Sequence, residues 1–259
     1  MIVRTQEQKE TLLEAGKRLG IVLETLAQAV SPGLSVDVLD TMAEKLIREK
    51  GDIPSFLNYT PEDFPRPYPA SLCVSVNDEI VHGIPNENPR VLKDGDIVSL
   101  DLGLTHKKVI VDSALTVSVG KTDKKSYALM DATASALEAG IATLKPGNHL
   151  GDIGRAIQEV IEHAGFAVVK ELGGHGVGDE VHEEPYISNY GKPGDGQELV
   201  EGMVLALEPI SSAGKASVVL GNDDYTYRTR DGSRSAHFEH TILIEKDAPL
   251  VVTRRPSEI

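Results

Sequence analysis

Three acidic residues stand in apolar, strand-like stretches where an ionised side chain would be costly. Asp101 lies in IVSLDLGL, Asp112 in KKVIVDSALTV and Glu208 in MVLALEPI. An unpaired buried charge costs on the order of several kcal/mol, so each carboxylate needs a proton, hydrogen-bond donors or a cation. Several such carboxylates at one place favour a divalent metal. The alternative for the two aspartates is the solvent-facing side of a half-exposed sheet.

The two aspartates belong to segments that predict an antiparallel hairpin. Segments 97–104 and 109–119 are rich in strand-forming residues and are separated by four residues, THKK. A hairpin centred between His106 and Lys107 would place Asp101 directly opposite Asp112, with Cβ atoms roughly 5 Å apart. Like charges destabilise such a pair, and a metal ion between them would reverse that effect.

A third group of candidate ligands follows in residues 173–185, which read GGHGVGDEVHEEP. His175 lies between glycines, so the backbone can pass close to a bound group and little side-chain bulk screens the imidazole. His182 follows later in the same motif, and this second histidine favours a functional role for His175. Three other histidines are expected to be structural or solvated: His106, His149 and His163.

Two glutamates in the C-terminal part have contexts that orient their carboxylates. Pro209 restricts Glu208 to an extended conformation. Glu239 lies in AHFEHTILI, where strand alternation puts His237 and Thr241 on the same face. His237 could therefore contact the same site. For either glutamate the alternative is an exposed strand position.

The elements that must position these residues form an internal repeat. Segments 30–51 and 144–165 resemble each other, and each reads as a Pro-Gly turn, an amphipathic helix and a terminating glycine. Long helical patterns precede the two turns, at 8–29 and 125–144. Strand patterns follow the second helix of each half: 72–81, 97–104, 109–119, 166–170, 203–210 and 238–245. The proline-rich segment 60–69 predicts an irregular loop.

The repeat predicts an α+β fold with pseudo-twofold symmetry and an active site where the halves meet. The halves would be roughly 1–120 and 121–259, and no linker-like tract separates them, so we expect one domain. The alternative is coincidence between two common helix–turn–helix segments.

Bulk composition limits the class of protein. The chain has 259 residues, 40% hydrophobic and 25% charged residues, which is ordinary for a globular protein. Its net charge of −14 opposes DNA binding. The single cysteine, Cys73, excludes an intramolecular disulfide framework and fits a reducing compartment. No signal-peptide pattern and no membrane-spanning stretch is seen, so we expect a cytoplasmic protein.

Taken together, five segments resemble the type I methionine aminopeptidases, a peptidase family with the pita-bread fold. They read YPASLCVSVNDEIVHGIP (68–85), LKDGDIVSLDLG (92–103), GGHGVGDEVHEEP (173–185), LEPI (207–210) and FEHTILI (238–244). The segments match in order and spacing, and the resemblance covers nearly the whole chain. It implies a single catalytic domain, 1–259, of antiparallel sheets covered by helices.

The resemblance also implies two divalent metal ions. Oxygen-rich ligation with one imidazole suits Mn, Fe or Co, and the five ligands would be Asp101, Asp112, His175, Glu208 and Glu239. Asp112 and Glu239 would bridge the metals, and Asp101 would chelate one of them. His175 and Glu208 would complete the other. A metal-bridged hydroxide would attack the scissile carbonyl.

Catalytic and substrate-binding roles follow from the same resemblance. Glu208 would shuttle a proton, and His182 would stabilise the tetrahedral intermediate. His82 would contact the peptide near the scissile amide. The substrate-binding set would be His82, Tyr68, Cys73, His182 and Tyr225. Cys73 could equally be a buried apolar filler, and both roles can hold together.

Four residues depart from the usual pattern of the family. Val111 and Ser113 surround Asp112 where Gly and Thr are common, Val181 stands where Phe is frequent, and Tyr225 replaces a Trp. These changes lie around the expected methionine pocket or behind the ligands. They bear on pocket shape and rate rather than on metal binding.

The function that the resemblance implies is removal of the initiator methionine from nascent proteins with a small second residue, a step of protein maturation. The partner would be the N-terminal peptide of a nascent chain, with at most a transient contact to the ribosome. We expect a monomer that binds neither DNA nor a membrane. The alternatives are an Xaa-Pro aminopeptidase or prolidase, and a non-catalytic pita-bread module that binds peptides.

Overall fold

The computed structural model of the chain describes residues 1–61 and 64–259. Within those ranges it has four α-helices: α1 (Gln6–Ala29), α2 (Val36–Glu49), α3 (Lys124–Ala142) and α4 (Leu150–His163). The strands of the first half are β1 (Ile53–Pro54), β2 (Cys73–Val76), β3 (Glu79–Val81), β4 (Ile97–His106) and β5 (Val109–Ser118). Those of the second half begin with β6 (Ala167–Val168), β7 (Gly173–Gly176), β8 (Glu183–Ser188), β9 (Val204–Leu207) and β10 (Ile210–Ser212). They end with β11 (Val218–Leu220), β12 (Tyr227–Thr229), β13 (Ser235–His237), β14 (His240–Leu243) and β15 (Leu250–Val251).

The helices begin and end where the sequence pattern predicts, within a few residues. Thr5 caps α1 by accepting a hydrogen bond from the backbone of Gln8, and Asp123 caps α3 in the same way. The helices α2 and α4 both span 14 residues, beginning at 36 and 150. Gly51 and Gly165 follow them with φ of 78° and 82°, a left-handed conformation that glycine adopts without strain. The second helix of each repeat is therefore the same element at the same offset.

The first half is organised around one antiparallel sheet. β4 pairs with β5 along one side, and with β2 and β1 along the other. The predicted strand 72–81 is divided, because a turn with Asn77 at φ 59° separates β2 from β3. β3 then joins a different sheet, in the order β11-β12-β3.

The second half carries the largest sheet, with the order β15-β14-β9-β7-β8. The predicted strand 203–210 is also divided. It breaks at Glu208 and Pro209, so β9 stays in this sheet and β10 joins the three-stranded sheet β13-β10-β6. The predicted loop 60–69 has neither helix nor strand at 60–61 and 64–69; residues 62 and 63 lie outside the described ranges.

Each helix pair packs on its own side of the molecule. The apolar face of α1, including Leu12, Leu19 and Leu23, packs with α2 against Leu100 and Leu102 of β4. In the second half, Ile153, Ile157 and Ile161 of α4 pack with α3 against β9 and β14. Burial of these side chains is the main stabilising contribution to each half.

The halves are connected through the inner strands. Ala114 of β5 forms an isolated antiparallel bridge with Glu239. The Thr241 hydroxyl accepts a hydrogen bond from the Asp112 backbone N–H at 2.8 Å and donates to the Asp112 carbonyl at 2.7 Å. The first-half hairpin is thus held against the segment 239–241. Within the described ranges, no helix is both long enough and apolar enough to cross a membrane.

Candidate metal centre

The two hairpin aspartates lie on the same face of the sheet but not opposite each other. Asp101 pairs with Ala114, and Asp112 pairs with Gly103. The predicted register was therefore wrong by a shift that keeps both carboxylates on one face. Because side chains alternate with a period of two residues, such an even error moves the pair onto a diagonal.

The turn conformation explains the register. Lys107 and Lys108 both have positive φ, at 47° and 72°, and His106 pairs with Val109. This is a two-residue turn of the I′ kind, whose twist matches that of the flanking strands. The sequence here is Lys-Lys rather than Asn-Gly, so the usual signal for such a turn was absent.

The other three ligand candidates come from the second half. His175 lies in β7, Glu208 directly follows β9, and Glu239 lies between β13 and β14. Pairing of β7 with β9 and of β9 with β14 sets His175 beside Ala206 and His240 beside Leu207. The bridge from Ala114 then brings Glu239 to the aspartates.

The glycines around His175 have a different reason from the one predicted. A Cβ on Gly174 would lie 2.3 Å from the carbonyl oxygen of Ala206, and one on Gly176 would lie 2.3 Å from that of Glu184. The neighbours that require glycine are therefore the backbones of the adjacent strands. The glycines allow β7 to approach β8 and β9 closely enough to hold His175 in place.

The ligand atoms converge. Asp112, His175 and Glu239 each offer one atom, and these three atoms lie within 4.8 Å of one another. The Nε2 of His175 lies 3.8 Å from Oε1 of Glu208 and 3.9 Å from Oε1 of Glu239. Asp101 lines the same cleft. The structure thus brings together all five residues that the sequence predicted as ligands.

Burial makes this cluster unfavourable without a cation. Burial raises the pKa of Asp112 to about 6, and Glu208 adds a like charge. Burial, and then the charge of Asp112, raise the pKa of Asp101 and of Glu239 well above the usual range. Among the described residues, one oxygen on each of these three carboxylates is buried without a hydrogen-bond partner: Asp101 Oδ1, Asp112 Oδ1 and Glu239 Oε1. Unpartnered oxygens with raised pKa values fit a divalent metal ion.

His175 has the tautomer that a ligand needs. Its Nδ1 lies 2.9 Å from the carbonyl oxygen of Gly176. A carbonyl can only accept, so Nδ1 carries the hydrogen and Nε2 presents a lone pair to the carboxylates.

Two further histidines flank the cluster in the same cleft. The ring of His182 lies 4.5 Å from that of His175, and its Nδ1 is hydrogen-bonded to the Tyr59 hydroxyl at 3.1 Å. His82 has a positive φ of 60°, and its Nδ1 is buried without a partner in the described structure. Burial lowers the pKa of His82 to about 4, so this imidazole is neutral at pH 7.

An apolar cluster forms the other side of the cleft. Tyr68, Cys73 and Tyr225 are buried there together with Phe56 and Val181. Tyr225 meets Tyr68 edge-on at 5.1 Å. Three of the five residues predicted to bind substrate therefore lie together beside the ligand cluster, and the other two, His82 and His182, line the same cleft. Of the departures from the family pattern, Val181 and Tyr225 belong to this apolar cluster, whereas Val111 packs in the first-half core.

Several residues that line the cleft were not predicted from the sequence. Tyr59, Phe56 and Pro61 line it, and His237 lies closer to the glutamates than its strand position alone showed. A signal was available, since the chain has only 4 Phe, 7 Tyr and no Trp. Phe56, Tyr59, Phe64 and Tyr68 crowd into one short stretch. His106 was expected to be structural or solvated; it is buried, with Nδ1 2.7 Å from Asp52.

Comparison with known proteins agrees with this geometry. The sequence profile of metallopeptidase family M24 matches residues 10–246. Methionine aminopeptidase 1 of Bacillus subtilis is 42% identical over 254 residues, covering 98% of this chain and 99% of the relative. The crystal structure of methionine aminopeptidase from Thermotoga maritima has a TM-score of 0.93 and 40% identity, and the match covers 98% of this chain and 100% of that one.

A more distant likeness supports the fold alone. The prolidase of Pyrococcus horikoshii has a TM-score of 0.74 and 20% identity, covering 100% of this chain and 65% of that one. The predicted α+β pita-bread fold is confirmed by these two structures.

Proposed function

The chain belongs to metallopeptidase family M24, and we propose that it acts as a methionine aminopeptidase that removes the initiator methionine from nascent proteins with a small second residue. The observation that carries this proposal is the position of the five ligand candidates beside an apolar cleft. A metal centre supplies hydrolysis, and the cleft supplies a place for an apolar side chain at the N-terminus of a peptide.

The donor set supports two divalent ions, Co, Mn or Fe. Asp101, Asp112, His175, Glu208 and Glu239 would hold them. Four carboxylates and one imidazole suit these metals better than a structural zinc site. When bound, the metals would polarise the scissile carbonyl and lower the pKa of water.

The remaining polar residues have separate tasks. The Tyr59 hydroxyl lies 3.1 Å from Nδ1 of His182. With the hydroxyl as donor, the hydrogen of His182 would be on Nε2, where it could stabilise a developing oxyanion. His82 is neutral and hydrogen-bonds the peptide near the scissile amide. Glu208 is half-buried at the cleft, where its carboxylate can take up a proton and pass it to the leaving amine.

The methionine side chain would occupy the apolar cluster. Tyr68, Cys73 and Tyr225 offer aromatic and sulfur surfaces, against which a flexible thioether packs favourably. Val181 packs in the same cluster, behind the residues that line the cleft. Because Tyr68, Cys73 and Tyr225 line the same cleft as the ligand candidates, a methionine bound there would have its carbonyl close to those ligands.

We also propose where and with what the protein works. Its substrate is the N-terminal peptide of nascent proteins in the cytoplasm, and it acts as a monomer with at most transient contact to the ribosome. The net charge of −14 supports the absence of a nucleic-acid surface.

Hydrolysis of three tripeptides tests the proposal. Protein stripped with chelator and then supplied with Co, Mn or Fe is expected to release methionine from Met-Ala-Ser. It should not cleave Met-Leu-Ser or Ala-Pro-Ala. His175→Ala removes the imidazole ligand and should abolish turnover, whereas His163→Ala, on the exposed end of α4, should not.

Two results would contradict it. Cleavage of Ala-Pro-Ala in place of Met-Ala-Ser would move the protein to the prolyl-peptidase side of the fold. Folded, metal-supplied protein without turnover on any of the peptides would favour a peptide-binding module.

A further inference from the structure

His237 is a buried imidazole at the metal centre that the mechanism above does not use. It lies in β13 and is 2% exposed, and neither ring nitrogen has a hydrogen-bond partner in the described structure. Its backbone is fixed, because its N–H donates to the Thr116 hydroxyl and its carbonyl accepts from that hydroxyl, both at 2.9 Å. A buried imidazole that has a fixed backbone and no hydrogen-bond partner is a candidate for a function at the metal centre.

The ring of His237 approaches the same two glutamates as His175, but at their other oxygens. Its Nε2 lies 3.4 Å from Oε2 of Glu208 and 3.9 Å from Oε2 of Glu239. His175 approaches the Oε1 atoms of the same two glutamates at 3.8 and 3.9 Å. Each glutamate therefore presents one oxygen to each imidazole.

The two histidines differ in where their hydrogen belongs. Nδ1 of His175 faces a carbonyl and must carry the hydrogen, which leaves Nε2 to bind metal. Nδ1 of His237 is buried and has no hydrogen-bond partner among the described residues. An unsatisfied buried N–H is costlier than an unused lone pair, so in His237 the hydrogen belongs on Nε2, toward Glu208.

We propose that His237 is a positioning residue that donates its Nε2–H to Oε2 of Glu208. The donated hydrogen bond fixes the rotation of the Glu208 carboxylate, so that Oε1 stays on the side of His175. This inference rests on the proposed role of Glu208 as ligand and proton shuttle. Partners of this kind contribute about 10–100-fold to metal affinity or activity.

The test compares two replacements of His237. His237→Gln keeps an N–H donor on a side chain of similar reach, and His237→Leu fills the space without a donor. Metal-stripped protein is titrated with Co(II), followed by its visible absorption and by competition with a chelator. We expect the leucine variant to bind Co(II) about 10–100-fold more weakly. We also expect its kcat to fall while its KM stays the same. The glutamine variant should stay close to the unchanged protein.

Each other outcome has a defined meaning. Unchanged Co(II) affinity in the leucine variant would overturn the proposal. A glutamine variant as weak as the leucine variant would also overturn it, because the imidazole would then itself be a ligand. Thermal unfolding of the metal-free variants checks folding, and His237→Met replaces the leucine variant if that one does not fold. Because Co(II) binding is measured directly, failure to hydrolyse methionyl peptides would count against the proposed function only.

Discussion

Val181 shows how one residue can set both stability and pocket shape. It is 4% exposed and packs among Phe56, Tyr68 and Tyr225. Val181→Phe would introduce the residue that the family often has, but into a cluster already filled by aromatic rings. Overpacking of this kind costs about 1–3 kcal/mol.

The prediction is that Val181→Phe lowers the free energy of unfolding by that amount and raises KM for Met-Ala-Ser, because the ring intrudes on the methionine pocket. Denaturant unfolding and steady-state kinetics measure the two effects. The same substitution at Val38, exposed on α2, is the control and should change neither. A variant as stable as the original protein would show that the cluster has spare volume.

At the scale of single elements, strand β7 depends on the absence of a side chain at Gly174. Gly174→Ala would set a Cβ 2.3 Å from the Ala206 carbonyl oxygen, and backbone cannot move aside cheaply. The strand must then shift and take His175 with it. We expect weaker Co(II) binding together with a loss of stability.

Gly147→Ala provides the comparison for that prediction. Gly147 has φ of +92° and no atom within 4 Å of an added Cβ, so the variant is strained but does not touch the centre. Both variants should unfold at lower temperature, and Gly174→Ala alone should lose Co(II) affinity. Equal affinity in the two variants would mean that β7 tolerates the displacement.

The hairpin turn is a second element whose sequence is not optimal for its conformation. Lys108 has φ of 72°, which costs a residue with a Cβ roughly 1 kcal/mol. Lys108→Gly should therefore raise the melting temperature by about 2–4 °C. Lys108→Ala removes the same charge but keeps the Cβ, so it should gain nothing. Calorimetry of the three proteins measures their melting temperatures. Their activity should be the same.

This hairpin also shows which features of the site can be predicted from the sequence. Alternation predicted that Asp101 and Asp112 share a face, and that is correct. The exact partner depends on whether the turn centres before or after Lys107, and a Lys-Lys turn gives no signal for this. The approach of Glu239 to the hairpin was accessible only through resemblance, because pairing between distant strands leaves no local pattern.

The helices were easier to predict, since caps and apolar spacing are local. The breaks at Asn77 and at Glu208 were harder, because each divides a continuous β-rich stretch between two sheets. Such breaks are tertiary choices that β-propensity alone does not resolve. That the chain forms a single domain with halves near residue 120 remains a prediction.

For the whole molecule, the buried carboxylates of the candidate metal centre make the free energy of unfolding depend on pH and on bound metal. Burial raises the pKa of Asp112 to about 6, above its ordinary value of 3.8. The metal-free folded state therefore binds more protons than the unfolded state between those values, so its stability rises as pH falls. Each extra proton contributes about 1.4 kcal/mol per pH unit.

We predict that lowering the pH from about 6 to about 4.5 raises the melting temperature of the metal-free protein relative to that of the metal-free Asp112→Asn variant, because Asp112 takes up its extra proton in this interval. With Co(II) bound the trend should reverse, because protons compete with the metal for the same oxygens. Asp112→Asn removes one titrating group and should flatten the metal-free trend. A metal-free protein that is more stable at the higher pH would show that other groups dominate.

The five ligand candidates lie between residues 101 and 239, and strands of both halves present them. A polypeptide whose synthesis stops before Glu239 has at most four of the five, and it lacks the Ala114–Glu239 bridge that closes the centre. An interrupted or proteolytically shortened copy would thus be inert rather than partly active. The metal centre therefore forms only in a chain that has been synthesised through Glu239, so only such a chain can process the N-termini of other proteins.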